Sequence, residues 1–251
     1  MLNRILSKQI KGYLKTFSRP KNLIFCPKLI DKPKGDNLIV LSPHFDDDVI
    51  GCGGVLHKHI LDGDKVAIVY LTDGREGDPS FENKELLEKA RKQEAISATK
   101  ILGIENLIFL DQPETKLKLN KDLIHRLTVI FNQTKPNLVY LPWFLDNHID
   151  HFELNQVFSE LCKYIQLDFN ICAYEVWTPL IPNIVIDIGN VFSKKEKAIK
   201  QYQTQIKQVD YLNTTLSLNK YRSATNLRGR SYAEAFLYLS VKDYLSLIKN
   251  A

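Results

Sequence analysis

Ser42-Pro43-His44-Phe45-Asp46-Asp47-Asp48 places one imidazole and three carboxylates within five residues. Carboxylates packed this closely repel one another unless a cation neutralises them, so the segment invites a metal ion. His44 and Asp47, three residues apart, can converge on one ion, and Asp46 then points a carboxylate beside it without ligating. Asp48 alone suits the bland role of capping the helix that follows. A second cluster, Pro142-Trp143-Phe144-Leu145-Asp146-Asn147-His148-Ile149-Asp150-His151, holds two of the six histidines. At the start of a helix, His148 and His151 form an i, i+3 pair on one side. A lone histidine is more often a satisfied core or surface residue; two within four residues, with a third at an equivalent place, favour a metal site. Imidazole and carboxylate without thiolate suit zinc first, and also accept iron(II), manganese or cobalt. Two His and one Asp leave a coordination position for water, the catalytic arrangement. A third cluster, Leu71-Thr72-Asp73-Gly74-Arg75-Glu76-Gly77, reads by itself as a polar loop. Beside a metal site, Asp73 would support the ligands and Arg75 would bind substrate. Arg91-x-x-Glu94 reads as a helix-face ion pair.

These clusters need a frame that carries them to one edge. Short apolar runs at 37–42, 65–71, 106–110, 138–141, 171–177 and 184–188 read as strands. Helical patterns lie between or after them at 49–61, 81–102, 121–134, 152–167, 194–205 and 243–249; 231–240 is ambiguous between helix and strand. The alternation predicts an α/β fold of stacked βαβ units with a mostly parallel sheet. Ligands of such sheets bind outside the carboxyl ends of the strands, which is where all three clusters fall.

The chain has 251 residues and a formal net charge of +5. Residues 1–35 hold nine basic residues against one acid, and the remainder holds 25 against 28. The basic character therefore belongs to an N-terminal extension, and residues 36–251 form one domain. Leu2, Ile5, Leu6, Ile10, Tyr13, Leu14 and Phe17 recur at helical spacing among the basic residues. Residues 1–19 thus have two readings: a helix packed on the body or another subunit, or a peripheral contact with an anionic leaflet. No run of seven consecutive apolar residues follows Met1, against a secretory signal. Four cysteines without short paired spacings fit a reducing, cytoplasmic setting. Without a basic face in the body, nucleic acid is not an expected partner.

Pro43-His44-Phe45-Asp46-Asp47-Asp48 with Gly53-Gly54 resembles the PHPDDE-x-x-x-x-GG signature of the PIG-L/LmbE-like metal-dependent N-acetylglucosaminyl deacetylases, and His148-Ile149-Asp150-His151 resembles that family's HxDH. Leu71-Thr72-Asp73-Gly74, Arg91-x-x-Glu94 with Leu102-Gly103, Tyr174-Glu175 and Ala233-Glu234-Ala235-Phe236 extend the likeness over nearly all of 37–237. Phe45 for Pro and Asp48 for Glu depart from it. The resemblance implies a Rossmann-like three-layer sandwich with the metal at the C-terminal ends of the strands. It implies zinc held by His44, Asp47 and His151, with Asp46 as general base. His148 would stabilise the oxyanion or protonate the leaving amine, and Asp150 would set the tautomer and charge of His148. The implied substrate is an N-acetylated amino-sugar conjugate, and the products are acetate and a free amino sugar. Arg75, Asp73 and Trp143 are the expected substrate contacts, with Trp177 and Tyr202 as further walls. The rivals are another amidase of a sugar conjugate, a phosphoesterase, and a non-catalytic carbohydrate-binding protein on the same fold.

Overall fold

A computed structural model describes residues 27–249. The amphipathic helix expected over residues 1–19 lies outside the described residues. The chain runs β1 (Lys28–Ile30), β2 (Asn37–Ser42), α1 (Asp47–Leu61), β3 (Lys65–Thr72), α2 (Lys84–Leu102), β4 (Asn106–Gln112), α3 (Lys121–Thr134) and β5 (Leu138–Pro142). It continues with α4 (Ile149–Leu161), β6 (Asn170–Tyr174), β7 (Ile184–Asp187), α5 (Phe192–Ile199), α6 (Gln203–Ile206), α7 (Tyr211–Leu227), β8 (Ala233–Ser240) and α8 (Val241–Lys249). The strands form one sheet in the order β1-β7-β8-β6-β5-β2-β3-β4. Strands β2 to β6 pair in parallel, as do β1 and β7. Only β8 runs antiparallel, inserted between β6 and β7.

Strand burial explains the layering. Leu38 to Leu41 of β2 are all fully buried, as a strand covered on both faces requires. Ile39 and Leu41 pack with Val69, Val139 and the apolar faces of α3, α4 and α8. Leu38 and Val40 pack with Ile68, Tyr140 and the faces of α1, α2 and α5. The period of two thus divides one strand between two cores and makes three layers. Close approach fixes α1 over the sheet: a Cβ on Gly51 would lie 2.3 Å from the Tyr174 ring, and one on Gly54 would lie 2.8 Å from Ile188.

Three differences from the sequence reading stand out. Strand β1 lies within the first 35 residues yet pairs with β7, so the sheet begins before the expected boundary. The ambiguous 231–240 segment is strand. Helix α7 had no expectation, because its buried residues include Thr215, Asn219, Arg222 and Ser223, a polar face with no apolar stripe to read. Among the described residues, no helix is long and apolar enough to cross a membrane.

Candidate active site

The chain leaves β2, runs out to β3 and β4, then returns to β5 on the other flank of β2. The carboxyl ends of β2 and β5 are therefore neighbours at a topological switch point, where open α/β sheets place ligands. The first polar cluster follows β2 and the second follows β5, so residues 106 and 107 positions apart come into contact. Asp46 occupies the N-cap position of α1, but its side chain makes no capping bond. The carboxylates after β2 are thus left to other partners.

His44 Nδ1 lies 3.0 Å from Asp47 Oδ2, His151 Nε2 lies 3.1 Å from the same oxygen, and the two nitrogens are 3.3 Å apart. Donors on a tetrahedral zinc with bonds of about 2.0–2.1 Å stand about 3.3 Å from one another, so this triangle has the dimensions of one face of a coordination sphere. The outer nitrogens meet acceptors: His44 Nε2 is 3.0 Å from Asp150 Oδ2, and His151 Nδ1 is 3.3 Å from Asp146 Oδ1, off the ideal hydrogen-bond line. Carboxylates accept and do not donate, so with an ion in the triangle each ring would keep its proton outward, on the side of Asp150 or Asp146, and turn a lone pair inward. These residues fit a divalent metal ion. Nitrogens of His44, His148 and His151 also lie within 4.8 Å of one another, a looser group in which His148 stands outside the triangle.

The electrostatics ask for positive charge at the same point. Burial opposes charging His151, yet the carboxylate of Asp47 lifts it to about 9, and the same carboxylate raises buried His44 well above its usual value. Burial, and then the charge of Asp47, push Asp46 up to about 6. Its Oδ2 is buried with no hydrogen-bond partner. His148 is driven to about 4, first by burial and then by His44 and His151. Its Nδ1 accepts from the backbone N–H of Asp150 at 3.2 Å, which leaves the ring proton on Nε2.

Not every expected residue has its expected neighbour. The Asp150 carboxylate faces His44, and it accepts from the backbone of Thr115 and Leu117 at 2.7 and 3.1 Å. Its carboxylate makes no hydrogen bond to the His148 ring; His148 is the N-cap of α4, with extended backbone, and its ring meets the backbone N–H of Asp150 instead. Trp143 is buried in the core with its ring N–H donated to Thr178 O at 2.8 Å, and Tyr202 is buried as well. Both are almost inaccessible, whereas Trp177 is 45% exposed. Arg75 is exposed and donates to Glu88 at 2.8 Å, while Asp73 accepts from the N–H groups of Arg75 and Glu114, joining the loops after β3 and β4. Arg91 pairs with Glu114 and not Glu94; its Nη1 donates to both Glu114 oxygens at 2.8 and 2.9 Å and to Gly74 O. Glu114, 4.0 Å from His44, went unread although it follows the end of β4. Asp146 was visible in the second cluster but carried no assignment.

The two departures from the family signature have packing roles. Phe45 stands edge-on to Tyr70 and Phe109, at 5.3 and 5.6 Å. Asp48 caps nothing; it is fully buried and accepts from Tyr70 O–H at 3.2 Å.

Residues 39–162 match the family model described as PIG-L, GlcNAc-PI de-N-acetylase. The chain is 27% identical over 196 residues to diacetylchitobiose deacetylase of Thermococcus kodakarensis, covering 70% of this chain and 73% of that protein. Its fold superposes on N,N'-diacetylchitobiose deacetylase from Pyrococcus horikoshii with a TM-score of 0.72 at 22% identity, covering 82% of this chain and 85% of the other. It also superposes on GalB, the 4-carboxy-2-hydroxymuconate hydratase of Pseudomonas putida, with a TM-score of 0.68 at 21% identity over 80% and 95% of the two chains. By its two signatures, its matched segment and its fold, the chain belongs to the PIG-L/LmbE-like family.

Proposed function

We propose that the chain is a zinc-dependent hydrolase that removes the N-acetyl group from an N-acetylglucosamine-type sugar conjugate, releasing acetate and a free amine. The observation that carries this reading is the His44–Asp47–His151 triangle, with the unpartnered Asp46 oxygen buried next to it. His44, Asp47 and His151 would hold the ion. A bound zinc supplies a Lewis acid for the amide carbonyl and makes water a nucleophile near neutral pH. Asp46 Oδ2, with no competing donor and a raised proton affinity, takes the proton of the attacking water and returns it to the departing amine. His148, with its proton on Nε2, donates to the developing oxyanion. Asp150 and Asp146 orient the two ligand imidazoles from behind. The names of the curated relative and of the family model support an acetamido sugar as the substrate.

The test is acetate release from N-acetylglucosamine compounds by zinc-loaded protein, with a chelator control. Acetate that disappears with chelator and returns with zinc is expected. No acetate from any acetamido compound overturns the reading, and water addition to an unsaturated diacid in its place would assign the site to hydratase chemistry.

A further inference from the structure

Beside the histidine cluster lies a hollow of about 80 Å³ between the end of β6 and helix α7, lined by Trp177, Tyr211, Thr214, Thr215 and Asn219. Trp177 forms its outer wall. The indole lies nearly parallel to the His148 ring, with centroids 6.4 Å apart and planes at 23°, and Tyr211 meets it edge-on at 5.8 Å. Its position is fixed, because Asp146 Oδ2 accepts from the N–H groups of Val176, Trp177 and Thr178 at 3.2, 3.0 and 3.3 Å. The Asp146 carboxylate that stands behind His151 therefore also holds the indole beside the site. At the inner wall, Asn219 is 4% exposed and its Oδ1 has no hydrogen-bond partner. A buried acceptor left unpaired is costly, so one that persists beside a site calls for a donor from outside.

Building on the acetamido-sugar reading above, we propose that Trp177 and Asn219 form a carbohydrate subsite, in which the indole carries the C–H face of a pyranose and a hydroxyl of that ring donates to Asn219 Oδ1. An aromatic face with a few convergent polar groups is the usual make-up of a small-molecule site. The hollow is large enough to hold ordered water, and so a hydroxyl or hydroxymethyl arm while the ring stays on the indole. The chain has two tryptophans, both of which emit, and a saccharide-induced change that disappears in Trp177→Ala, which keeps the buried Trp143, belongs to Trp177.

Zinc-loaded protein titrated with chitobiose, the fully deacetylated disaccharide, should show a saturable change in indole emission. Asn219→Leu should weaken that binding at least tenfold without lowering the urea midpoint, since it removes an unsatisfied group. Trp177→Ala should raise KM for diacetylchitobiose at least tenfold more than it raises KM for N-acetylethanolamine, which has no ring, with little change in kcat for the disaccharide. A midpoint that falls in Asn219→Leu, or saccharide binding that neither variant alters, overturns the subsite. Acetate release with no saccharide effect on Trp177 would sink the subsite alone. A saccharide effect without acetate release would sink the deacetylase reading alone.

Discussion

At the scale of the residue, two acids of the site have opposite fates. Asp46 offers a buried oxygen with no partner, whereas Asp150 is committed to His44 and two backbone N–H groups. Asp46→Asn should keep zinc stoichiometry and lose turnover by about 10²–10⁴-fold, since an amide cannot take the proton; full turnover would remove Asp46 from its role. Asp150→Asn should weaken zinc by about 10–100-fold in competition with a chromophoric chelator. Unchanged affinity with a changed kcat would instead return Asp150 to a partnership with His148. The His44–Asp47 grouping was legible because it sits in one turn of chain. The partner of Asp150 was not, because adjacency in HxDH hides the break at the His148 N-cap and the carboxylate meets His44, from the turn after β2. Trp143 and Trp177 are alike in type, and only the fold decides which is core and which is surface.

At the scale of the element, helix α1 carries Asp47 and Asp48 and is gripped in its middle by a fully buried ion pair. Lys195 Nζ donates to Glu234 Oε1 at 2.6 Å and to Ile50 O at 2.8 Å. Glu234 in turn accepts from the N–H groups of Gly54 and Val55, both at 2.8 Å. Removing one member leaves a buried charge unpaired. Lys195→Met should therefore cost about 3–5 kcal/mol in urea denaturation of the zinc-free protein; a loss below about 1 kcal/mol would mean that water or a shifted side chain replaces the ammonium. The parallel strands were legible as apolar runs and most helices as periodic patterns. Helix α7 was not, since it buries Arg222 against Glu175 where an apolar stripe would normally lie.

At the scale of the whole molecule, metal and protons compete for the same nitrogens. His151 is lifted to about 9 and His44 well above its ordinary value, so in the metal-free chain both hold protons more tightly folded than unfolded. That contribution to stability is fully present below the unfolded value near 6.5 and is lost as pH rises through the folded values. Zinc must displace those protons, so its own stabilisation grows over the same window. The gap in denaturation midpoint between zinc-loaded and metal-free protein should widen from pH 6.5 to pH 9, and a constant gap would mean that neither nitrogen is a ligand. The place of β8 has a consequence in time. During synthesis, β2 and β5 emerge early and can bring His44 to His151, but β7 and β1 can join the sheet only through β8, among the last strands to leave the ribosome. A chain stalled before residue 233 would carry the histidine cluster on a sheet whose β6 edge is still open, and that edge is where such a nascent chain would be most exposed to a chaperone or to another unfinished copy.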